Sequence, residues 1–192
     1  VVGLGNPGKE YEKTRHNAGR IILEHIARAN DFSEWKNDMK TKSLRAKGEV
    51  GGVKMEFMLP ETFMNNSGNA VVPVIDSVKK LKNLVVVYDD IDIPIETMKI
   101  SFNRSAGGHN GLASIIKRVK SEAFVRIRIG VSPHTPTGKI KKPIGEDAVL
   151  KFLLGVFKED ELKVLKKESK KVAEILAMVA SEGHQKAMSI YN

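Results

Sequence analysis

Leu84-Val85-Val86-Val87-Tyr88 runs directly into Asp89-Asp90-Ile91-Asp92. Five consecutive apolar residues, three of them β-branched, have the length of a strand and read as a central strand buried on both faces. The acidic run marks where the strand meets the ligand crevice of an α/β fold. Carboxylates at the end of a buried strand are costly unless paired or functional, and a nearby imidazole would supply the pairing.

Reading outward from this strand, the hydrophobic spacing switches repeatedly between strand and helix periods. Val1 to Leu4 reads as a buried strand end. Residues 17 to 30 read as an amphipathic helix with Ile21, Ile22, Ile26 and Ala29 on one side. Leu44 to Val50 and Val53 to Leu59 form an expected antiparallel pair across Gly51-Gly52. Met98 to Phe102 and Phe124 to Val131 read as further strands, and Leu112, Ile115, Ile116 and Val119 repeat at helical spacing between them. A Pro/Gly/Lys-rich stretch at 132 to 145 reads as a surface loop, with a mobile flap as the alternative. Beyond it, 158 to about 182 reads as a long C-terminal amphipathic helix through Leu162, Leu165, Val172, Ile175, Leu176 and Val179. No repeat, low-complexity tract or Gly/Ser linker divides the chain. The expectation is one α/β domain spanning 1–192.

The chain has 192 residues, 41% of them hydrophobic and 29% charged, which is globular composition and argues against disorder, collagen and coiled coil. No apolar run is long enough to cross a bilayer, so no membrane association is expected. The absence of cysteine excludes disulfides, thiolate nucleophiles and Cys-ligated zinc, and suits a reducing, cytoplasmic setting. A few residues are expected ahead of Val1, which falls inside a strand. With 32 Lys and Arg against 23 Asp and Glu, the formal charge is +9, and a polyanion is the natural partner.

Gly3-Leu4-Gly5-Asn6-Pro7-Gly8 matches the G-x-G-x-x-G fingerprint, and Glu24 lies about where a ribose-binding acid would sit. Pro7-Gly8 bends the chain, however, and Lys9 to Lys13 has no apolar face, so no helix opens on the third glycine as a dinucleotide site requires. Polar clusters instead collect at expected strand ends and helix starts: Asn6, His16-Asn17, Asn65-Asn66-Ser67, Asp89-Asp90-Ile91-Asp92 and His109-Asn110. Of five histidines only His16 and His109 lie in Gly/Asn-rich segments. A histidine held by a carboxylate is a tuned general base, and asparagines around it can hold a water and a polarised carbonyl without adding charge. No His pair has metal-ligand spacing and no Ser sits in a nucleophile elbow, so direct attack by water is the favoured chemistry. Mg²⁺ on Asp89, Asp90 and Asp92 is the weaker alternative.

Taken together, five segments resemble bacterial-type peptidyl-tRNA hydrolases. They are Val2 to Gly8 with Tyr11 and Thr14-Arg15-His16-Asn17-Ala18-Gly19; Thr62-Phe63-Met64-Asn65-Asn66-Ser67-Gly68; Asp89 to Pro94; Ala106-Gly107-Gly108-His109-Asn110-Gly111-Leu112; and Arg126-Ile127-Arg128-Ile129-Gly130. The resemblance implies a single α/β domain with a twisted mixed β-sheet flanked by helices. It also implies hydrolysis of the ester joining a peptide to the 3′ ribose of tRNA, without metal or organic cofactor. On it, His16 would be the catalytic base and Asp89 its orienting carboxylate. Asn6 and Asn65 would hold the peptide end, Asn110 would place water or substrate backbone, and Tyr11 and Met64 would line the crevice. The implied partner is peptidyl-tRNA, with no obligate protein partner and a monomeric protein.

Lys99, Arg104, Lys117, Arg118 and Arg128 are the candidates for tRNA phosphates. The chain departs from the family at Ile95-Glu96, at Asn103-Arg104-Ser105, and at Ser101, where some relatives carry a basic phosphate-clamping residue; Lys99 and Arg104 are the expected compensation. Two alternatives stand beside the hydrolase. One is a non-catalytic RNA-binding relative of the kind found among chloroplast group II intron splicing factors. The other is a nicotinamide-dependent enzyme using Gly3, Gly5 and Gly8.

Overall fold

The computed structural model describes residues 1–75 and 77–192. In chain order the elements are β1 (Val2–Gly3), α1 (Ala18–Ala29), β2 (Lys36–Asp38), β3 (Ser43–Val50), β4 (Val53–Pro60), α2 (Ser67–Val71), α3 (Val78–Lys82) and β5 (Val85–Pro94). They continue with β6 (Met98–Phe102), α4 (Asn110–Val119), β7 (Val125–Ser132), α5 (Glu146–Leu153), α6 (Glu159–Ser181) and α7 (His184–Tyr191). The seven strands make one sheet in the order β2-β3-β4-β1-β5-β7-β6. β4, β1, β5 and β7 are mutually parallel, and the outer strands β3, β2 and β6 join antiparallel. The expected hairpin is present, with Val50 opposite Val53 and Leu44 opposite Leu59.

β5 is interior and buried on both faces. Val85 and Val87 pack into the layer formed by α1, α6 and α7. Val86 and Tyr88 pack on the other side against Leu112 and Ile115 of α4 and Val71 of α2. The strand is longer than its apolar run: it carries the acidic residues within it and reaches Pro94, with a break in register against β7 between Asp90 and Pro94. Backbone pairing with β7 keeps the chain extended after the apolar run ends.

α1 presses directly on this strand. A Cβ on Gly19 would lie 2.1 Å from the Val87 carbonyl oxygen, a distance no side chain tolerates, so glycine there permits the helix to approach β5. Ile21, Ile22 and Ile26 are buried as expected, but Ala29 is exposed and Ala27 is buried instead. Ala29 shares the apolar arc, yet the last turn carries it past the packed layer. Four helices, α2, α3, α5 and α7, have no counterpart in the expected pattern. α5 is only eight residues long, and its apolar residues Phe152 and Leu153 pack only partly buried against the core. α7 follows Gly183 at φ 89°, and His184, expected to lie after the last helix, opens α7 and stacks on Phe102. Residues 133–145 run along the surface with one bridge, His134 to Ile140. No helix among the described residues is long and apolar enough to cross a membrane.

One buried group in α6 makes stability depend on pH. Glu168 is 7% exposed, and neither carboxylate oxygen has a hydrogen-bond partner. Burial pushes its pKa up, Glu96 adds to this and Lys171 opposes it, for a value of about 7. The native state therefore holds this proton more tightly than the unfolded chain. Its penalty is absent below the ordinary carboxylate range, grows as pH rises from there, and is complete above pH 7. Glu168→Gln should remove this dependence and gain on wild type by on the order of 2 kcal/mol between pH 4.5 and 8. Denaturant melts at several pH values measure it, and parallel pH curves for the two proteins would refute the assignment.

Candidate active site

Four segments meet at the C-terminal ends of the parallel strands. The turn after β1 supplies Asn6, and a 3₁₀ turn at Arg15–Asn17 leading into α1 supplies His16. β5 supplies Asp89, and the start of α4 supplies His109 and Asn110. The 3₁₀ turn Met64–Asn66 packs against α4.

Asp89 is 2% exposed and bonds to two imidazoles. His16 Nδ1 lies 3.0 Å from both Oδ1 and Oδ2, and His109 Nε2 lies 3.1 Å from Oδ1. The two rings are tilted, with centroids 4.9 Å apart. Backbone geometry settles the His109 tautomer: its Nδ1 accepts the Leu112 N–H at 3.2 Å as the N-cap of α4, so the ring proton sits on Nε2 and is donated to Asp89. His16 donates from Nδ1, which leaves its Nε2 as the unprotonated nitrogen. Burial pulls the His16 pKa down, but the charge and hydrogen bond of Asp89 outweigh it and raise the pKa above the ordinary histidine value. Burial alone would raise Asp89; the facing imidazoles overcome it and hold the carboxyl ionised, well below the usual carboxylate range.

His16, Asp89 and His109 offer ligand atoms within 4.8 Å of one another, close enough for an ion by distance. Protonation argues the other way. A neutral His109 ligating through Nε2 must carry its proton on Nδ1, where the Leu112 N–H already points. Nor do the three aspartates converge on Mg²⁺: Asp89 is taken by histidines, Asp90 accepts from Arg128 Nε at 2.8 Å, and Asp92 pairs with Lys142.

The glycine-rich turn has its own occupant. Asn17 Oδ1 accepts the Asn6 N–H at 2.8 Å, and Asn17 Nδ2 donates to the Asn6 carbonyl at 2.9 Å. Asn17 thus fills the turn where a dinucleotide would need its pyrophosphate, and α1 begins only at Ala18. The Asn6 side chain is oriented unambiguously, because its Oδ1 accepts the Met64 N–H at 2.8 Å and its Nδ2 is left as a donor. Met64 itself is buried, with its sulfur against Gly111, where a Cβ would come within 2.4 Å.

Tyr11 ends a 3₁₀ turn at Lys9–Tyr11 and meets Phe63 edge-on at 6.3 Å. Asn65 and Asn110 are exposed at their helix starts. The basic candidates lie apart from the carboxylate–imidazole group. Lys99 and Arg128 are cross-strand partners on β6 and β7, and Lys117 and Arg118 are exposed on α4. Arg104 is exposed in a loop whose backbone carbonyl accepts from Arg126 Nη2. Two residues of this region carry more than the sequence pattern assigns to them. His109 reads there only as a polar helix start, although an N-cap histidine beside a buried acidic strand end is a legible combination. Arg126 is fully buried over Phe124 at 4.4 Å with Nε and Nη1 unpaired, and nothing in the strand pattern distinguishes it from Arg128.

This arrangement can be set against known proteins. The sequence profile of the family described as peptidyl-tRNA hydrolase matches residues 1–192. The chain belongs to the peptidyl-tRNA hydrolase family. A peptidyl-tRNA hydrolase of Carboxydothermus hydrogenoformans is 38% identical over 193 aligned residues, covering 100% of this chain and 97% of that one. One of Aquifex aeolicus is 37% identical, covering 100% and 95%. The crystal structure of peptidyl-tRNA hydrolase from Acinetobacter baumannii superposes with a TM-score of 0.82 at 28% identity, covering 98% of this chain and 91% of that one. The protein is thus a member of a hydrolase family, with the single-domain mixed sheet of its solved relatives.

The His16 assignment can be tested without turnover. Asp89→Asn removes the group that raises the His16 pKa and leaves burial, which lowers it. An NMR titration of the His16 ring should give a midpoint above 6.5 in wild type and below 6.5 in the variant. An unchanged midpoint would separate the two residues.

Proposed function

We propose that this protein hydrolyses the ester between the peptide and the 3′ ribose of peptidyl-tRNA, returning free tRNA and peptide. The observation that carries the reading is the hydrogen bond from His16 Nδ1 to the buried, ionised Asp89. It commits the ring proton to one nitrogen and leaves Nε2 to accept another.

In this reading water gives a proton to His16 Nε2 as its oxygen bonds to the acyl carbon. The imidazolium that forms is stabilised by Asp89. Collapse of the tetrahedral intermediate breaks the bond to the ribose 3′-oxygen, which takes the proton from Nε2 and restores the resting ring. Asn6 Nδ2 is the donor for the peptide carbonyl, since its Oδ1 is already bound to Met64. Asn65 holds the adjoining peptide backbone, Asn110 places the water or substrate backbone, and Tyr11 and Met64 line the crevice. His109 positions Asp89 and stays out of the proton transfer, because protonating its Nδ1 would break the cap of α4.

Lys99, Arg104 and Arg128, with Lys117 and Arg118, are assigned to tRNA phosphates. The register places Lys99, Arg128 and Tyr88 on one face of the sheet, and Tyr88 packs with α4 on that same side. We take a monomer acting in the cytoplasm as the working unit.

An N-blocked aminoacyl-tRNA is the test substrate. His16→Ala should lower kcat by about 10²- to 10⁴-fold, the range expected of a general base, with little change in KM. Equal turnover by variant and wild type would remove His16 from the reaction. Failure of the wild type to release tRNA would leave an RNA-binding protein without this activity.

A further inference from the structure

The exposed face of α6 carries Lys163, Lys166, Lys167, Lys170 and Lys171, at spacings i, i+3, i+4, i+7 and i+8. At about 1.5 Å of rise per residue they form a single stripe roughly 12 Å long. All five are exposed, and among the described residues none is in an ion pair. The only ring contact is Lys171 over Tyr191 at 5.8 Å. Lysines three and four apart on a helix repel one another; Glu159, Asp160 and Glu161 lie in the first turn of α6, and the exposed Glu174, which accepts from the Tyr191 hydroxyl, lies just beyond the C-terminal end of the stripe. The stripe is therefore a concentration of like charge that, among the described residues, is relieved only at its C-terminal end, where Lys171 meets the Tyr191 ring and the charge of Glu168.

We infer that this face is a second RNA-binding surface, which grips the phosphate backbone of an RNA helix independently of the catalytic crevice. Three observations favour that occupant. A protein interface needs apolar or aromatic anchors at its centre and is poor in lysine, yet none of the exposed large apolar residues lies on α6. A membrane-surface helix would need a free apolar face, whereas Leu165, Val172, Ile175 and Leu176 are buried in the core. What remains is a row of point charges without shape, which suits a regular array of phosphates; a duplex presents about seven charges over the length of the stripe. α6 packs on the α1 side of the sheet, while Lys117 and Arg118 sit on α4 across it. A single stem lying along one face does not lie along the other.

The test compares wild type with a variant combining Lys163→Gln, Lys166→Gln, Lys167→Gln and Lys170→Gln, all exposed positions where glutamine keeps helix propensity. The probe is a short fluorescent RNA duplex with no acyl group, titrated between about 50 and 200 mM salt. The variant should bind it at least about tenfold more weakly near 100 mM, with a log–log salt slope flatter by roughly 3. It should keep wild-type kcat and KM on N-blocked aminoacyl-tRNA, and saturating duplex should not inhibit wild-type turnover. Unchanged duplex binding would overturn the inference. So would a rise in KM matching the loss of duplex affinity, since the stripe would then belong to substrate docking. A loss confined to binding of anionic phosphatidylserine vesicles would also overturn it. The duplex titration needs no turnover, so its outcome is separate from the fate of the hydrolase reading.

Discussion

A fully buried carboxylate, Asp89, stays ionised because two imidazoles donate to it, and the arrangement of the surrounding elements answers to that requirement. A lone charge at this depth would take up a proton instead. The donors come from opposite sides of the sheet. His16 arrives on the turn before α1, in one packed layer, and His109 on the cap of α4, in the other. Both layers must therefore sit on β5 to within hydrogen-bond tolerance. Gly19 sets the approach of the first layer against the Val87 carbonyl. In the second, Gly111 makes room for the Met64 sulfur beside the α4 start.

The two histidines both face Asp89 and differ in how their rings are bound. His109 is bound at both nitrogens, to the Leu112 N–H and to Asp89, and so has no free site for a proton. His16 is bound at one nitrogen only, and the same carboxylate that fixes its tautomer raises its affinity for a second proton. One buried charge thus faces one ring held at both nitrogens and one ring with a nitrogen left open. Asparagines complete the site with dipoles in place of charges. The assignment of Asn6 follows from the backbone N–H it accepts, so the polarity of this part of the crevice is built into the chain path.

Much of this was readable from residue order. The buried-both-faces character of residues 84–88, the hairpin across Gly51-Gly52 and the apolar stripes of α1, α4 and α6 are local periodicities, and local periodicity survives folding. The features that escaped are the ones set by distant contacts. α5 packs only Phe152 and Leu153 partly buried against the core, with Arg15 over the Phe152 ring, and the chain just beyond it is tied where the Arg15 backbone N–H bonds to the Gly155 carbonyl and Arg15 pairs with Glu161. β5 continues through Asp89 to Pro94 beside β7, with a break in register after Asp90, and there the buried-on-both-faces run gives way to the alternation Asp90-Ile91-Asp92-Ile93. Ala29 has the right phase for the core and the wrong place along the helix axis.

Residue order alone determined the class of fold, the basic surface and the set of side chains able to do acid–base chemistry. Spacing of apolar residues, net charge and side-chain type are properties of the linear chain. Only the tertiary structure decided what each histidine's ring nitrogens meet, and so which ring is bound at both and which at one. That distinction depends on what each ring nitrogen meets across 73 residues in one case and 20 in the other. Hydrogen-bond direction at a buried site is a matter of position in space, and no one-dimensional pattern carries it.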